Sequence, residues 1–278
     1  IDNNTCTATR IRPPVHALLE NTLDSMAAAF ELGADVVEFD IHPTSDGEFV
    51  VFHDWTVDCR TNGKGVTREQ TLAYLRSLDI GYGYTHDGGK TFPVRGQAKP
   101  MPTWAEVMAA FPGKRFLVNV KSNSRAEGNL IVAYLERHGI DRSRLMFYGA
   151  ENPMSVLREK LPKARTASKP RLRSCFLRYV ALGWTGVTPD ACRDSLILVP
   201  VNYQGALWGW PGEFVARMAA VNSEVFVIGP YVDKTEAAGS TAIDSAADLA
   251  LLAPGYAGGV MTDRIDVIGP LLARKPPD

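Results

Sequence analysis

The segment over residues 33–54 constrains the fold of this chain more than any other. Its sequence, GADVVEFDIHPTSDGEFVVFHD, predicts two short strands separated by a polar turn. The first strand is apolar except for Glu38 and Asp40, which lie two positions apart and therefore point to the same face. The second strand ends in His53 and Asp54. Carboxylates and an imidazole are thus expected together at the ends of neighbouring strands.

The spacing of Glu38 and Asp40 indicates a cation site. Two carboxylates on one strand face repel each other unless a cation lies between them, and oxygen ligands suit a hard divalent cation. The alternative is that one of these acids faces solvent on a half-buried strand. Because both acids interrupt an otherwise apolar run, the metal site is the favoured interpretation.

Short apolar strands alternate with amphipathic helices along the chain, which is typical of parallel strands buried on both faces. An open doubly wound sheet and a closed (β/α)8 barrel both fit this α/β pattern. No GxGxxG follows a strand, no domain linker interrupts the chain, and about eight strands are predicted, with residues 7–12 as the first. These observations favour a single TIM-barrel domain over residues 1–278, with its chemistry at the carboxyl ends of the strands.

Composition excludes some classes of function. With 45% apolar residues the 278-residue chain can build a full core, and a net charge of −1 provides no broad basic surface for nucleic acid. No run of eighteen apolar residues occurs, so no transmembrane segment is predicted. The first residue is Ile1 rather than Met, which indicates a mature or trimmed product. Nothing in the sequence indicates an oligomeric state.

Several motifs in order resemble those of one family. They are Glu20-Asn21-Thr22, GADVVEFD, DGEFVVFHD, DCRTNGKG over residues 58–65, MPTWAEV over residues 101–107, and Met261-Thr262-Asp263. Together they resemble the glycerophosphodiester phosphodiesterase family, and they span most of the chain. The resemblance implies cleavage of a glycerophosphodiester to glycerol 3-phosphate and an alcohol. It also implies a divalent metal, Ca²⁺ or Mg²⁺, bound by three acids, and two histidines as general acid and base.

The metal ligands of the family map onto three positions of this chain. Glu38 and Asp40 match two of the acids, and the third position is Asn119. An amide oxygen can still bind a hard cation, but it brings no charge, so weaker metal binding is expected. Lys121 matches the family's lysine and is expected to bind the substrate. The alternative for Lys121 is a surface lysine with its stem along the protein.

The two catalytic histidines are matched less completely. His53 matches one of them. The other would stand immediately before Arg12, which matches the phosphate-binding arginine, but Ile11 occupies that position. His16 lies four residues after Arg12 and either takes over the missing role or has none. His42 is a further candidate, because it shares the strand face of the two acids.

The sequence leaves the identity of the substrate open. Trp210 and other loop tryptophans either form an apolar wall for a lipid group or pack in the core. Related barrels cleave lysophospholipids or sphingomyelin, so a lysolipid is an alternative to a small soluble phosphodiester. The changes at Ile11 and Asn119 also leave a third interpretation, a barrel that binds phosphoesters without turnover.

The four cysteines form neither a CxxC motif nor a Cys/His cluster, so no zinc site is predicted. They are either buried free thiols or two disulfides, Cys6–Cys59 and Cys175–Cys192. Cys59 is expected in a loop at the mouth of the active site, where Cys6 could reach it. The even number and the missing initial Met favour a periplasmic or secreted protein.

Overall fold

A computed structural model of the chain describes residues 6–97, 99–232 and 239–272. Within these ranges helices alternate with short strands. The helices are α1 (Leu23–Glu31), α2 (Leu72–Arg76), α3 (Trp104–Ala110), α4 (Arg125–Arg137), α5 (Glu151–Lys160), α6 (Lys169–Leu182), α7 (Gly212–Ala220), α8 (Ala246–Leu249) and α9 (Ile265–Leu272). The strands are β1 (Val36–Pro43), β2 (Phe49–Val51), β3 (Arg115–Val120), β4 (Leu145–Gly149), β5 (Arg165–Ala167), β6 (Leu196–Pro200), β7 (Glu224–Ile228), β8 (Tyr231–Val232), β9 (Gly239–Ser240) and β10 (Gly259–Val260).

The strand predicted over residues 7–12 is wrong. Residues Ala8–Arg10 form a 3-10 helix instead. The carbonyl oxygen of Ala8 accepts a hydrogen bond from the backbone N–H of Thr85, a loop residue, at 2.9 Å. Cys6 forms a disulfide with Cys59. The segment is therefore attached to neighbouring loops, and the two prolines that follow it could not donate to a strand ladder in any case.

The chain divides into two compact units, and the first comprises the described residues within Ile1–Ala28, Val36–Ser122 and Leu130–Arg144. Its sheet has β1 in the centre, antiparallel to β2 and parallel to β3. The hairpin predicted over residues 33–54 is thus present. The parallel register places Asp40 directly opposite Asn119.

An aromatic core determines which side of β1 carries the site. Phe39 packs in T-shaped contacts with Phe116 and Trp104, and Trp104 stacks on Tyr134 with ring centroids 5.4 Å apart. Trp104 begins α3, where Thr103 and Glu106 form the predicted capping box. Because successive strand residues point to opposite faces, burial of Phe39 in this core directs its neighbours, including Asp40, to the other face.

The second unit comprises the described residues within Ala29–Asp35, Asn123–Asn129 and Leu145–Asp278. Its strands follow one another in parallel: β4 pairs with β5, a parallel bridge between Thr166 and Ser195 leads to β6, and β7 lies between β6 and β10. Strands β8 and β9 form a separate antiparallel pair. The buried disulfide Cys175–Cys192 ties α6 to the chain that precedes β6. The predicted pairing of all four cysteines is therefore confirmed.

Candidate active site

The carboxyl end of β2 presents a histidine held by a carboxylate. His53 follows the buried Phe52, and its Nδ1 lies 2.7 Å from Oδ1 of Asp54. The His53 side chain is 33% exposed, whereas Asp54 is buried. A neutral imidazole that donates Nδ1–H to the carboxylate carries a free lone pair on Nε2. In that tautomer the pair can act as a general base.

A buried arginine holds Asp54 from the other side. The Nε atom of Arg60 lies 2.8 Å from Oδ1 of Asp54, and its Nη2 donates to the Thr7 hydroxyl at 2.9 Å. The Nη1 atom contacts both the Glu20 carboxylate and the Tyr84 hydroxyl. Arg60 thereby connects the N-terminal segment, the loop at Glu20 and the loop at Tyr84 with the histidine–carboxylate pair.

These contacts determine the charge of Asp54. Burial by itself would raise the pKa of this carboxyl group, but the hydrogen bond from His53 and the charge of Arg60 outweigh burial and lower the pKa below its ordinary value. Asp54 is therefore ionised at neutral pH. A carboxylate that stays charged keeps the imidazole oriented and stabilises its protonated form.

Asp40 is the second centre of the site. Its side chain is buried, and both of its oxygens receive donors: Asn21 Nδ2 at 2.9 Å, Asn119 Nδ2 at 2.8 Å and Lys121 Nζ at 3.3 Å. Asn21 also accepts the backbone N–H of Asp40 at 3.0 Å. Asn21 has φ 59°, a left-handed conformation that asparagine tolerates better than most residues. Its two bonds hold Asp40 in one orientation.

Lys121 is a buried member of the site and not a surface lysine. Only 2% of its side chain is exposed, beside the equally buried carboxylate of Asp40. Its Nζ makes this ion pair, but it makes no hydrogen bond of ordinary geometry with the part of the chain that the structure describes. A buried ammonium whose N–H groups lack a hydrogen-bond acceptor can bind an anionic oxygen. A backbone hydrogen bond connects Asp40 with the chain that carries the His53–Asp54 pair. The N–H of Phe52, the residue before His53, donates to the carbonyl of Asp40 at 3.1 Å.

The oxygen atoms of Glu38, Asp40 and Asn119 fit a divalent cation in part. Glu38, half-buried on the same face of β1 as Asp40, supplies a second carboxylate, and carboxylate oxygens suit Ca²⁺ or Mg²⁺. Asn119 presents its N–H to Asp40, so it offers an oxygen only when its amide turns by about 180°. Across residues 6–97, 99–232 and 239–272, no three His, Cys, Asp or Glu side chains form a metal-binding group. Two acids, with the amide as an optional third ligand, could hold the cation.

Other predicted residues lie elsewhere. Arg12 and His16 are both exposed, and His16 Nδ1 accepts the backbone N–H of Leu18 at 3.3 Å. Trp210 stacks on Tyr256, with ring centroids 5.2 Å apart, in the core of the second unit. Catalytic or substrate-binding roles for these residues stay predictions. His42 is completely buried, and burial lowers the pKa of its imidazole to about 3, so it is neutral.

Three residues of the site were not singled out from the sequence as site residues. They are Arg60, Asn21 and Glu20. Each lies in a motif that carried the family resemblance, but a motif shows only neighbours along the chain. Arg60 is 40 residues from Glu20 and 53 from Thr7. Only folding brings these partners together.

Comparisons with known proteins identify related sequences. The sequence model of the glycerophosphoryl diester phosphodiesterase family matches residues 10–140. A glycerophosphodiester phosphodiesterase of Caldanaerobacter subterraneus is 40% identical over 105 residues, which is 38% of this chain and 40% of that protein. A probable glycerophosphodiester phosphodiesterase 1 of Mycobacterium tuberculosis is 32% identical over 188 residues, 62% of this chain and 67% of that protein.

A solved structure supports the fold. The glycerophosphoryl diester phosphodiesterase domain of a Mycobacterium tuberculosis protein superposes with a TM-score of 0.66 at 16% identity, covering 91% of this chain and 93% of that one. This likeness defines the class: the protein has the α/β fold of the TIM-barrel phosphodiesterases, as predicted. It belongs to the glycerophosphodiester phosphodiesterase family. Members of this family generally depend on a divalent metal.

The chain matches only part of the length of several curated relatives. In three of the curated relatives the chain spans about two fifths of the protein, 40–42%. Among the described helices, none combines the length and the apolar character that crossing a bilayer requires.

Proposed function

We propose that this protein hydrolyses a glycerophosphodiester to glycerol 3-phosphate and an alcohol. The observation that carries the proposal is the His53–Asp54 pair, with Nδ1 2.7 Å from Oδ1. It lies within the family-matched residues 10–140, as does the Asp40–Lys121 ion pair. The names of the relatives support the same reaction class.

His53 would move the proton. Hydrolysis breaks one P–O bond while the oxygen of a hydroxyl group or water forms another, so a proton must leave the nucleophile and reach the departing alkoxide. The Nε2 atom of His53 takes the first proton, and the resulting imidazolium gives it to the alkoxide. Asp54 stabilises the imidazolium between these steps, since its pKa is lowered and it stays ionised.

Lys121 would stabilise charge on the phosphoryl oxygens. Its buried ammonium keeps N–H groups that Asp40 does not use. Arg12 would supply a second cation from its exposed segment, and His16 a second proton carrier. Trp210 would contribute apolar contact to a larger alcohol group. The mutations below test these assignments separately.

Glu38 and Asp40 would hold a divalent cation, Ca²⁺ or Mg²⁺, with Asn119 joining through Oδ1 after its amide turns. When bound, such a cation withdraws charge from the phosphoryl oxygens and favours ionisation of a hydroxyl group. The proposed roles of His53 and Lys121 are the same with the cation bound: His53 carries the proton, and Lys121 binds the anionic phosphoryl oxygens.

We also propose an oxidising compartment, the periplasm or the cell exterior. All four cysteines are paired, and structural disulfides persist where the surroundings are oxidising.

The decisive experiment compares three histidine variants on two substrates. Turnover of glycerophosphocholine and of bis-(4-nitrophenyl) phosphate is measured with added Ca²⁺ or Mg²⁺. The His53→Ala variant should lose a factor of about 10²–10⁴, as expected for lost general acid–base catalysis. His86→Ala is the matched control, because His86 is an exposed loop residue. The effect of His16→Ala decides whether a second histidine takes part.

Different outcomes separate the competing functions. Loss in His53→Ala with full activity in His86→Ala supports the proposal. In a parallel assay with lysophosphatidylcholine, preference of the parent protein for this lipid over glycerophosphocholine would change the substrate to a lysolipid. A folded parent protein that binds phosphodiesters and turns over neither substrate with either metal would instead be a binding protein.

A further inference from the structure

The C-terminal end of α6 carries large apolar side chains on its solvent side. Leu177 is 62% exposed, Trp184 in the following turn 69%, and Trp208 in the loop before α7 49%. Val180, Leu182 and Val187 are exposed as well. We call these six residues the α6 apolar surface. Most large apolar side chains of a soluble protein are buried, so six exposed ones on neighbouring segments are informative.

Hydrogen bonds hold both tryptophans at this surface. Trp208 Nε1 donates to the carbonyl of Val180 at 2.8 Å, and Trp184 Nε1 donates to the carbonyl of Ala181 at 3.1 Å. These carbonyls belong to the last turn of α6, where helix carbonyls lack partners of their own. Because each indole N–H is used at the helix end, the hydrocarbon part of the ring is left at the surface.

The base of the surface is rigid. Cys175 is buried and bonded to Cys192. Tyr179, also buried, donates its hydroxyl to the carbonyl of Trp208 at 2.9 Å. Arg217 of α7 donates to the carbonyl of Gly183 at 2.8 Å. The surface is therefore organised before any partner arrives, and binding would cost little conformational entropy.

Unpaired cations lie on the same helix. Lys169, Arg173 and Arg178 are exposed, and none forms an ion pair with a residue that the structure describes. Lys169, Arg173 and Leu177 follow one another at four-residue spacing, so they share one face of α6. Acids of neighbouring elements are already paired: Asp190 with Arg193, and Glu213 with Arg217. The surface thus joins apolar side chains to a surplus of positive charge.

We propose that the α6 apolar surface binds the interface of an anionic lipid bilayer. Tryptophan rings and aliphatic side chains enter the boundary between head groups and acyl chains, where tryptophan is enriched. Lys169 and Arg173, on the face of α6 that carries Leu177, meet the negative lipid head groups. A second protein surface is the less suitable occupant, since cations whose neighbouring acids are already paired with other arginines call for an anionic partner. The proposal is independent of the hydrolytic function.

Vesicle sedimentation tests the proposal with the full chain. The parent protein should sediment with phosphatidylcholine–phosphatidylglycerol vesicles and much less with pure phosphatidylcholine, and salt should weaken binding. Trp184→Ala and Lys169→Ser/Arg173→Ser should each reduce the partition coefficient about tenfold or more. Leu251→Ala is the matched control, because Leu251 is 52% exposed but lies outside the surface. Circular dichroism melting verifies that every variant is folded.

Three results would overturn the proposal. The first is no sedimentation of the parent protein with anionic vesicles at about 0.1 M salt. The second is an equal loss in Leu251→Ala and Trp184→Ala. The third is concentration-dependent dimerisation, abolished by Trp184→Ala, without vesicle binding, which would make a second copy of this chain the occupant.

Discussion

The Nε atom of Arg60 lies 2.8 Å from the Oδ1 atom of Asp54, the same oxygen that lies 2.7 Å from Nδ1 of His53. Arg60 does not reach the histidine itself. It acts through the carboxylate, whose pKa it lowers and whose position it restricts. We therefore regard Arg60 as a positioning residue.

Replacement of Arg60 by lysine should reduce kcat by about 10–100-fold with little change in KM, because a small displacement of a catalytic group is costly. Lysine keeps the charge but cannot contact Asp54, Glu20 and Thr7 at once. The acid limb of the pH profile of kcat should also move to higher pH, since Asp54 loses the guanidinium that lowers its pKa. Arg76→Lys, in an exposed pair with Glu106, is the control. An unchanged pH profile would leave Arg60 a purely structural role.

The Asn21→Gly variant should reduce the free energy of unfolding by about 2–3 kcal/mol. Two hydrogen bonds to Asp40 are lost, and a buried carboxylate loses a donor. Glycine adopts φ 59° without strain, so the variant isolates the side chain. Urea unfolding measures the difference. Lys163→Gly, at φ 67° on an exposed residue, is the control and should be neutral or slightly stabilising. Equal changes in both variants would contradict the role of the Asn21 side chain.

The Asn119→Asp variant should bind Ca²⁺ or Mg²⁺ more tightly than the parent, because it adds a charge to the donors of Glu38 and Asp40. Without metal the same variant should be less stable, since a carboxylate replaces an amide that donates to Asp40 at 2.8 Å. Calorimetry measures the affinity, and melting with and without metal measures the stability. Weaker or unchanged metal binding would show that Asn119 is not close to the cation.

Asp54 should make stability depend on pH in the acid range. Its pKa in the folded state lies below the ordinary value of 3.8, so the folded protein releases this proton more readily than the unfolded chain. Its contribution is therefore fully present above about pH 4 and is lost as the pH falls through the folded-state pKa. Urea unfolding between about pH 2.5 and about pH 5 should show that the free energy of unfolding depends less steeply on pH in Asp54→Asn than in the parent protein. Parallel curves for both proteins would refute this.

The two disulfides should contribute unequally. Cys6 and Cys59 are 53 residues apart, and Cys175 and Cys192 are 17 apart. Loop-closure entropy then gives about 4 kcal/mol for the first and about 3 kcal/mol for the second. Paired Cys→Ala variants measure both. The Cys6–Cys59 variant should also lower kcat, because Cys59 adjoins Arg60 and Cys6 adjoins Thr7, whose hydroxyl accepts from Arg60. Full activity in that variant would separate the disulfide from the site.

Much of this architecture could be predicted from local patterns. The hairpin over residues 33–54 follows from alternating apolar residues around a polar turn, and the start of α3 from the capping residues Thr103 and Glu106. In both cases the interacting groups lie close together in the chain. The wrong strand over residues 7–12 shows the limit, because a strand exists only when a partner strand pairs with it.

The sequence by itself determined the family, the strand that carries Glu38 and Asp40, and the histidine at the end of β2. Only the tertiary structure decided that Lys121 is buried against Asp40, that Asn21 fixes that carboxylate, and that Arg60 supports Asp54. These contacts join residues 6 to 81 positions apart, with Lys121 and Asp40 the most distant pair. Periodicity and motif spacing act over a few residues, whereas the energy of a buried charge depends on every group that packing brings within about 4 Å.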